Sequence, residues 1–392
     1  MNSTHTALAE KTTALYQNHV HRGAKMTPFA GWQMPLQFSR VLQEHAAVRE
    51  AAGLFDVSHM GILVFEGPST AVVRRFLDGL VPRDLEKRLQ PGKAVYTQFL
   101  NEAGGILDDL IVYQLPPEAQ TLGFQGEFLV VCNAANVIEN CQWIDAHQPE
   151  KVGVRVHLQY DRFSLLALQG PKFLQVMQTV GFQEVDLPKR FGVSVCTLHT
   201  GATHCTVLAA RTGYTGEDGL ELIVPNAYAE WLWDTLLNQN EATGLLPVGL
   251  AARDTLRTEA ALPLHGQDIG PDTTPLEAGL GWSVDWSKPL PYVGQSAIHA
   301  QQEKGLARIY HCFKLKKQTI PRPHDPLMLE GQVVGEVTSG TVSPCLDAAI
   351  GMGYVSTSAP LAPGSSLTVL GRKGVAMEAK VVTRPFYKST LL

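Results

Sequence analysis

The 392-residue chain lacks most of the features that commit a sequence to a specialised class. Its six cysteines, at 132, 141, 196, 205, 312 and 345, form no C-x-x-C pair. The spacing signal of a structural zinc site or a dithiol redox centre is therefore missing, and the cysteines fit reduced structural thiols in a cytosolic setting. Basic charge is not in excess either. The formal net charge of −5 gives no footprint for nucleic acid, though a local basic pocket for an anionic ligand stays compatible with it. No apolar run approaches the length of a membrane span, so no membrane partner is expected. The first twenty residues contain no arginine and no apolar core of signal-peptide length. That argues against an uncleaved leader and sets a cytoplasmic expectation, from which a matured mitochondrial form would not differ. H-E-x-x-H, Walker, dinucleotide and G-x-S-x-G motifs are all missing, so no metal is expected.

What remains is a composition with 45% hydrophobic and 18% charged residues, on a chain long enough for two or three domains. Strand-like runs recur at 61–67, 126–133, 164–170, 204–211 and 219–225. Helical spacing marks 71–80, 226–240 with Asn226 as a cap candidate, and 247–262 with Pro247 at a first turn. The mixture lacks a strict strand–helix beat, which predicts an α+β fold. After about residue 300 short strands alternate with Pro, Gly and Ser, and no helix is evident. This predicts a separate all-β domain over 300–392, a small barrel or sandwich, with a boundary at 286–295 and the main region over 1–290.

Three stretches carry candidate chemistry. In GGILDDLIVYQ (104–114) two aspartates interrupt an apolar run. A carboxylate there is costly unless it is paired or hydrogen-bonded. Strand alternation sets Ile106, Asp108, Leu110 and Val112 on one face and Leu107, Asp109, Ile111 and Tyr113 on the other. The second face, a carboxylate beside a phenol among aliphatic groups, suits a wall for a planar, polar-edged ligand. Asp108, nearer the glycines, reads as a turn residue accepting backbone N–H bonds. In RTGYTGEDGLELIV (211–224) Glu221 faces away from Leu220, Leu222 and Val224. It is either a solvent-facing residue or an acceptor for the donor edge of a heterocycle. In ARDTLRTEA (252–260) Arg253 and Arg257 share a helix face, and Asp254 can pair with Arg257. The choice lies between an ion-paired surface and a guanidinium clamp for a carboxylate or carbonyl. DVSHM (56–60) is not read as a catalytic triad, because triads are assembled in space, and His59 is expected to be structural or pocket-lining.

Taken in series, GAKMTPFAGWQMPLQF (23–38), DVSHMG (56–61), GGILDDLIVY (104–113), GYTGEDG (213–219), ARDTLRTEAALPLHGQDI (252–269) and VTSGTVSPCL (337–346) resemble the aminomethyltransferase (T-protein) family of the glycine cleavage system. The likeness covers nearly the whole chain. It implies a three-domain cloverleaf, with two intertwined α+β lobes around a central folate channel and a C-terminal β-barrel. It implies an enzyme that takes an aminomethyl group from the lipoyl arm of H-protein, releases ammonia, and passes the one-carbon unit to tetrahydrofolate. Asp109 then becomes the catalytic candidate and Asp108 structural. Glu221 is expected at the pterin's donor edge and Arg253 on folate. Tyr113, Tyr96, Tyr214, Met60, Asn133 and Trp282 match positions that line the family's channel. Arg322 and Lys388 are candidates for the anionic glutamyl tail or an acidic partner. His265 stands where many relatives carry Tyr. The competing readings are a folate-dependent demethylase of a free small molecule and a folate-binding module without transferase activity. Asp109→Asn separates the last, because a pure binding module would keep its function.

Overall fold

The computed structural model describes residues 10–150 and 152–389. The first nine residues of the polar N-terminal stretch, and the last three of the chain, lie outside the described residues.

The described chain opens with a small sheet of β1 (Lys11–Thr12), β2 (Lys25–Phe29) and β3 (Trp32–Gln37), with α1 (Tyr16–His21) between the first two. Helix α2 (Val41–Glu50) leads into β4 (Ala52–Asp56). The chain then leaves for a second sheet. It forms β5 (Gly61–Glu66), helices α3 (Thr70–Leu80) and α4 (Leu85–Arg88), β6 (Lys93–Leu100), β7 (Ile106–Gln114), β8 (Phe128–Cys132), α5 (Val137–Ala146) and β9 (Arg155–Leu158). It returns to the sheet of β4 through β10 (Phe163–Gln169), α6 (Phe173–Gln178), β11 (Val193–Thr200), β12 (Thr203–Ala210), β13 (Gly219–Pro225), α7 (Asn226–Gln239) and β14 (Leu245–Pro247). Helix α8 (Leu250–Glu259) and α9 (Gln295–Lys304) precede the last strands. The first large sheet has order β11-β12-β13-β10-β4-β14 and the second β6-β7-β8-β5-β9, so the two lobes are intertwined in sequence.

The two sheets face each other across one apolar layer. Phe55, Leu165, Ala167 and Ile223 of the first meet Ile62, Val64, Leu129 and Val131 of the second. On its outer face the first sheet packs Leu54, Leu166 and Leu168 against α6 and α7, through Val176, Trp233 and Leu236. The second sheet packs Leu63, Phe65 and Val112 against α3 and α5, through Phe76, Leu77 and Ile144. β10 is buried on both faces, which is why its central LLAL reads as a continuous apolar run, while its polar Ser164 and Gln169 are buried with hydrogen-bond partners, Asn226 at 2.7 Å and the Thr212 carbonyl at 3.1 Å.

The C-terminal strands β15 (Arg308–Leu315), β16 (Pro326–Leu329), β17 (Gln332–Ser343), β18 (Ala348–Ser356), β19 (Ser366–Leu370) and β20 (Ala376–Val382) close into a barrel. The α+β class and the C-terminal barrel are thus as expected. Local readings differ in four places. Asn226 does not cap α7: it begins the helix, and its side chain instead bonds Ser164 Oγ at 2.7 Å and the Tyr160 carbonyl at 2.9 Å. Pro247 lies in β14, paired with Leu54 of β4, and α8 starts three residues later at Leu250. Helix α9 runs across residue 300; only Ile298 of it is buried, so its sequence carries little apolar period. A bulge between β6 and β7 skips Leu107, which packs with the core under α3 instead of beside Asp109.

Candidate active site

The apolar layer between the sheets opens into a cavity of about 210 Å³, room for much more than a water molecule. Both sheets build its walls. The second contributes Tyr96, Asp109, Ile111 and Val131; the first contributes Phe55, Ala167, Gln169 and Glu221. Arg253 reaches in from α8, and Met60, Asn133, Tyr214 and Trp282 come from connecting segments.

The aspartate pair divides as strand alternation demands. Asp108 points away from the cavity and is fully buried. It accepts N–H bonds from the Asn133 backbone and from the Asn136 and Asn140 side chains, at 3.1, 2.8 and 2.6 Å. Its expected role as an acceptor of backbone donors holds, but from within the strand and not from the turn. The turn itself depends on Gly105: a Cβ there would sit 1.7 Å from the Pro271 carbonyl oxygen, a clash no side chain survives. Asp109 faces the cavity, where it accepts from the Tyr96 hydroxyl at 3.0 Å and from Asn133 Nδ2 at 2.8 Å. Burial raises the Asp109 carboxyl above the usual range. Burial, and then the neighbouring Asp109 charge, push Asp108 up to about 6.

On the facing wall Glu221 accepts from Thr212 Oγ1 and, buried, is raised above the ordinary carboxyl range. Its alternating-strand position therefore meets the cavity and not solvent. Its loop is tight because a Cβ on Gly213 would lie 1.9 Å from Gln169 Oε1. Arg253 stacks on Tyr214 at 4.7 Å, and the Tyr214 hydroxyl donates to the Pro263 carbonyl at 2.5 Å. Burial lowers Arg253 from its ordinary value, while Tyr214 and Glu221 oppose that shift. Trp282 stacks on Tyr96 at 5.5 Å and is 56% exposed, so it stands at the mouth. Phe191, which no local sequence signal marks, also lines the cavity, and its φ of 54° lies in the left-handed region.

The cavity therefore brings together Asp109, Glu221, Arg253, Tyr96, Tyr214, Met60, Asn133 and Trp282. Tyr113 is not among the lining residues. It is 1% exposed and packed in the apolar layer, where Thr212 and Glu221 are its polar neighbours. It supports the wall from behind. Arg257 is neither a surface residue nor a ligand clamp. It pairs with Asp254 at 2.7 Å, as the spacing predicts, but is buried, pairs with Asp268 at 2.6 Å, and donates to Ser339 Oγ of the barrel at 2.9 Å. Arg322 and Lys388 are exposed and lie outside the cavity. A different basic cleft adjoins the mouth. Arg83, Lys87, Arg88 and Lys93 line it together with Tyr96, Phe191 and Trp282.

His59 is buried, and neither ring nitrogen has a protein partner. Burial, then the Arg253 charge, lower it to about 3, so the ring is neutral. Asp56 of the same motif instead binds His19 Nε2 at 2.8 Å and Thr13 Oγ1 at 2.6 Å, and no Asp–Ser–His triad forms. Among the described residues one group has metal-donor spacing, His45, Glu259 and Cys345, brought together from three distant segments. Its Glu259 carboxylate is already held by Arg49 at 2.9 Å and by His45 at 3.1 Å, so the cluster is a satisfied ion-pair network joining α2, α8 and the barrel.

Comparison with known proteins follows the same division. Residues 15–288 match the family described as the GCVT N-terminal domain, and residues 308–388 match the glycine cleavage T-protein C-terminal barrel domain. The chain is 44% identical over 379 residues to an aminomethyltransferase of Parasynechococcus marenigrum, covering 96% of this chain and 98% of that one. It is 40% identical to an aminomethyltransferase of Desulforamulus reducens, over 96% and 98% of the two chains. The crystal structure of the glycine cleavage system aminomethyltransferase T from Bartonella henselae superposes with a TM-score of 0.84 at 34% identity, covering 97% of this chain and 99% of that one.

Proposed function

The chain belongs to the glycine cleavage T-protein family and is an aminomethyltransferase, and on that premise we propose that it transfers the one-carbon unit of an aminomethyl group from the lipoyl arm of H-protein to tetrahydrofolate, releasing ammonia. The observation that carries this reading is the Asp109 carboxyl group, aimed into an aromatic-walled cavity with Glu221 and Arg253 among its other polar walls.

The wall chemistry fits tetrahydrofolate. Tyr96, Tyr214 and Trp282 offer faces to flat rings. Glu221 offers a carboxylate to a heterocycle's N–H edge, and Arg253 offers donors to a carbonyl or carboxylate. When bound, tetrahydrofolate supplies the acceptor for the one-carbon unit. Asp109, held between Tyr96 and Asn133, orients that acceptor and faces the positive charge that develops as the carbon–nitrogen bond breaks. A fixed carboxylate in a water-poor site is worth far more than one in water. The enclosing walls bring donor and acceptor together, which supplies much of the rate. The anionic tail leaves toward Arg83, Lys87, Arg88 and Lys93, whose cleft continues the mouth, and not toward Arg322 or Lys388. Among the described residues no helix is long and apolar enough to cross a membrane, and we place the reaction in the cytoplasm.

The test is ammonia release from aminomethylated, lipoylated H-protein with and without tetrahydrofolate. Release that requires folate establishes the reaction. Folate binding without release, or one-carbon transfer from a free methylated small molecule instead, sinks it.

A further inference from the structure

Thr212 sits in the loop before β13 with both its backbone and its hydroxyl committed. Gln169 braces that loop from β10: its Nε2 donates to the Thr212 carbonyl at 3.1 Å, and its Oε1 accepts from Thr215 Oγ1 at 3.0 Å. Thr212 is 8% exposed and lines the cavity, and its β-branched side chain has few rotamers open to it. Its hydroxyl has one hydrogen to give, and gives it to Glu221 Oε2. Toward Tyr113, its other polar neighbour, it can then only accept.

That bond sets what Glu221 can offer. No described residue bonds Glu221 Oε1. The strands beside it bring only Ala167 of β10 and Ala210 of β12 into register with it. The charged and titratable groups that face it are Arg253 from α8 and Tyr113 from β7. Burial raises the Tyr113 hydroxyl well above its ordinary value and so keeps it neutral, while Arg253 is a cation. Burial also pushes the Glu221 carboxyl toward protonation, and the Thr212 hydroxyl opposes that push more strongly than Arg253 does. An ionised Glu221 has acceptor sites alone; a protonated one would turn an O–H to the ligand. The two forms select opposite edges of a heterocycle.

We propose that Thr212 is a positioning residue that holds Glu221 as an acceptor-only carboxylate with Oε1 free for the ligand, and so makes this wall specific for a heterocycle edge of N–H donors. It acts through Glu221 and touches no reacting atom. The edge it selects is that of a 2-amino-4-oxo ring, whose amino group and ring N–H lie side by side as a donor pair. A ring presenting its carbonyl edge, or lacking the amino group, is rejected because it leaves the buried carboxylate unpaired. The inference rests on the reading of tetrahydrofolate as the ligand of this cavity.

The test compares the full chain with Thr212→Val, which keeps the shape and removes the hydroxyl, and Thr212→Ser, which keeps the hydroxyl. The carboxyl ¹³C resonance of Glu221, in protein labelled at glutamate and assigned with Glu221→Gln, is followed against pH without ligand. In Thr212→Val its titration should move to higher pH, and in Thr212→Ser it should stay near wild type. Thr212→Ala serves should Thr212→Val not fold. Tetrahydrofolate binding is then measured across the same pH range. Thr212→Val should weaken it by roughly tenfold on the acid side, the worth of one charge-assisted hydrogen bond, and by less once Glu221 is ionised in both proteins. The loss should appear in KM for tetrahydrofolate and not in kcat. A Glu221 titration identical in wild type and Thr212→Val, or a shift that Thr212→Ser shares, overturns the proposal. So does a binding loss equal at every pH, the mark of a side chain that only braces its loop. If the titration moves as expected while tetrahydrofolate affinity and KM keep their wild-type values, the hold of Thr212 on Glu221 stands and the placing of tetrahydrofolate against Glu221 falls.

Discussion

At the scale of single residues the site works by division of labour between neighbours. Asp108 and Asp109 differ by one position, yet one is locked among asparagines and the other opens to the cavity. Strand alternation made that division legible in the sequence, and family likeness assigned the chemistry. The asparagine cage was not legible, because Asn133, Asn136 and Asn140 reach Asp108 only after β8 and α5 fold beside β7. Phe191 was equally hidden, since no local sequence signal marks it or its left-handed backbone. Arg253→Ala should weaken tetrahydrofolate binding by roughly tenfold, the worth of one charge-assisted hydrogen bond. Equilibrium binding checks this, and an unchanged affinity would return Arg253 to a structural role. Lys87→Glu together with Lys93→Glu should weaken binding more for ligands with longer anionic tails, and should weaken it less as salt is raised. An equal loss for tailed and tailless ligands would contradict the exit at this cleft.

At the scale of elements, α8 is the hinge pin of the molecule. One face presents Arg253 to the cavity, while Arg257 and Glu259 bond into the barrel through Ser339 and Ser343. The i, i+4 spacing of the two arginines was visible in sequence, but their separate destinations were not. A helix only 10 residues long can carry both, because its sides meet different domains. Arg257→Ala would leave Asp268 buried without its cation. Breaking a buried pair in this way should cost about 3–5 kcal/mol. Chemical denaturation should show that loss, and a change below about 1 kcal/mol would mean the pair is not load-sharing.

At the scale of the whole molecule, the α+β class and the C-terminal barrel follow from sequence texture, while the two lobes came from the family likeness and their facing sheets from the structure. Lobe interleaving did not follow from texture, because strand order is set by long-range pairing such as β4 with β10 and β14. The interior also holds an acid sensitivity. His59 is lowered to about 3 in the folded chain against 6.5 when exposed, so the unfolded chain binds more protons between those values. Stability should therefore fall as pH drops from 6.5 toward 3, by about 3 kcal/mol at pH 4.5 from this ring alone. Urea unfolding at pH 7 and 4.5 should show that difference shrink in His59→Leu; an identical pH dependence in the variant would mean the ring is protonated in the folded state.

The central claim is that the carboxyl group of Asp109 does the chemistry in the cavity between the sheets. Its most direct test is the initial rate of folate-dependent ammonia release from aminomethylated H-protein, wild type against Asp109→Asn, with tetrahydrofolate affinity and melting temperature measured alongside. The account predicts a rate lower by about 100-fold or more, the scale of losing one preorganised electrostatic group, with the fold intact. Asp109→Asn turning over at the wild-type rate, with folate bound and the protein folded, would contradict it.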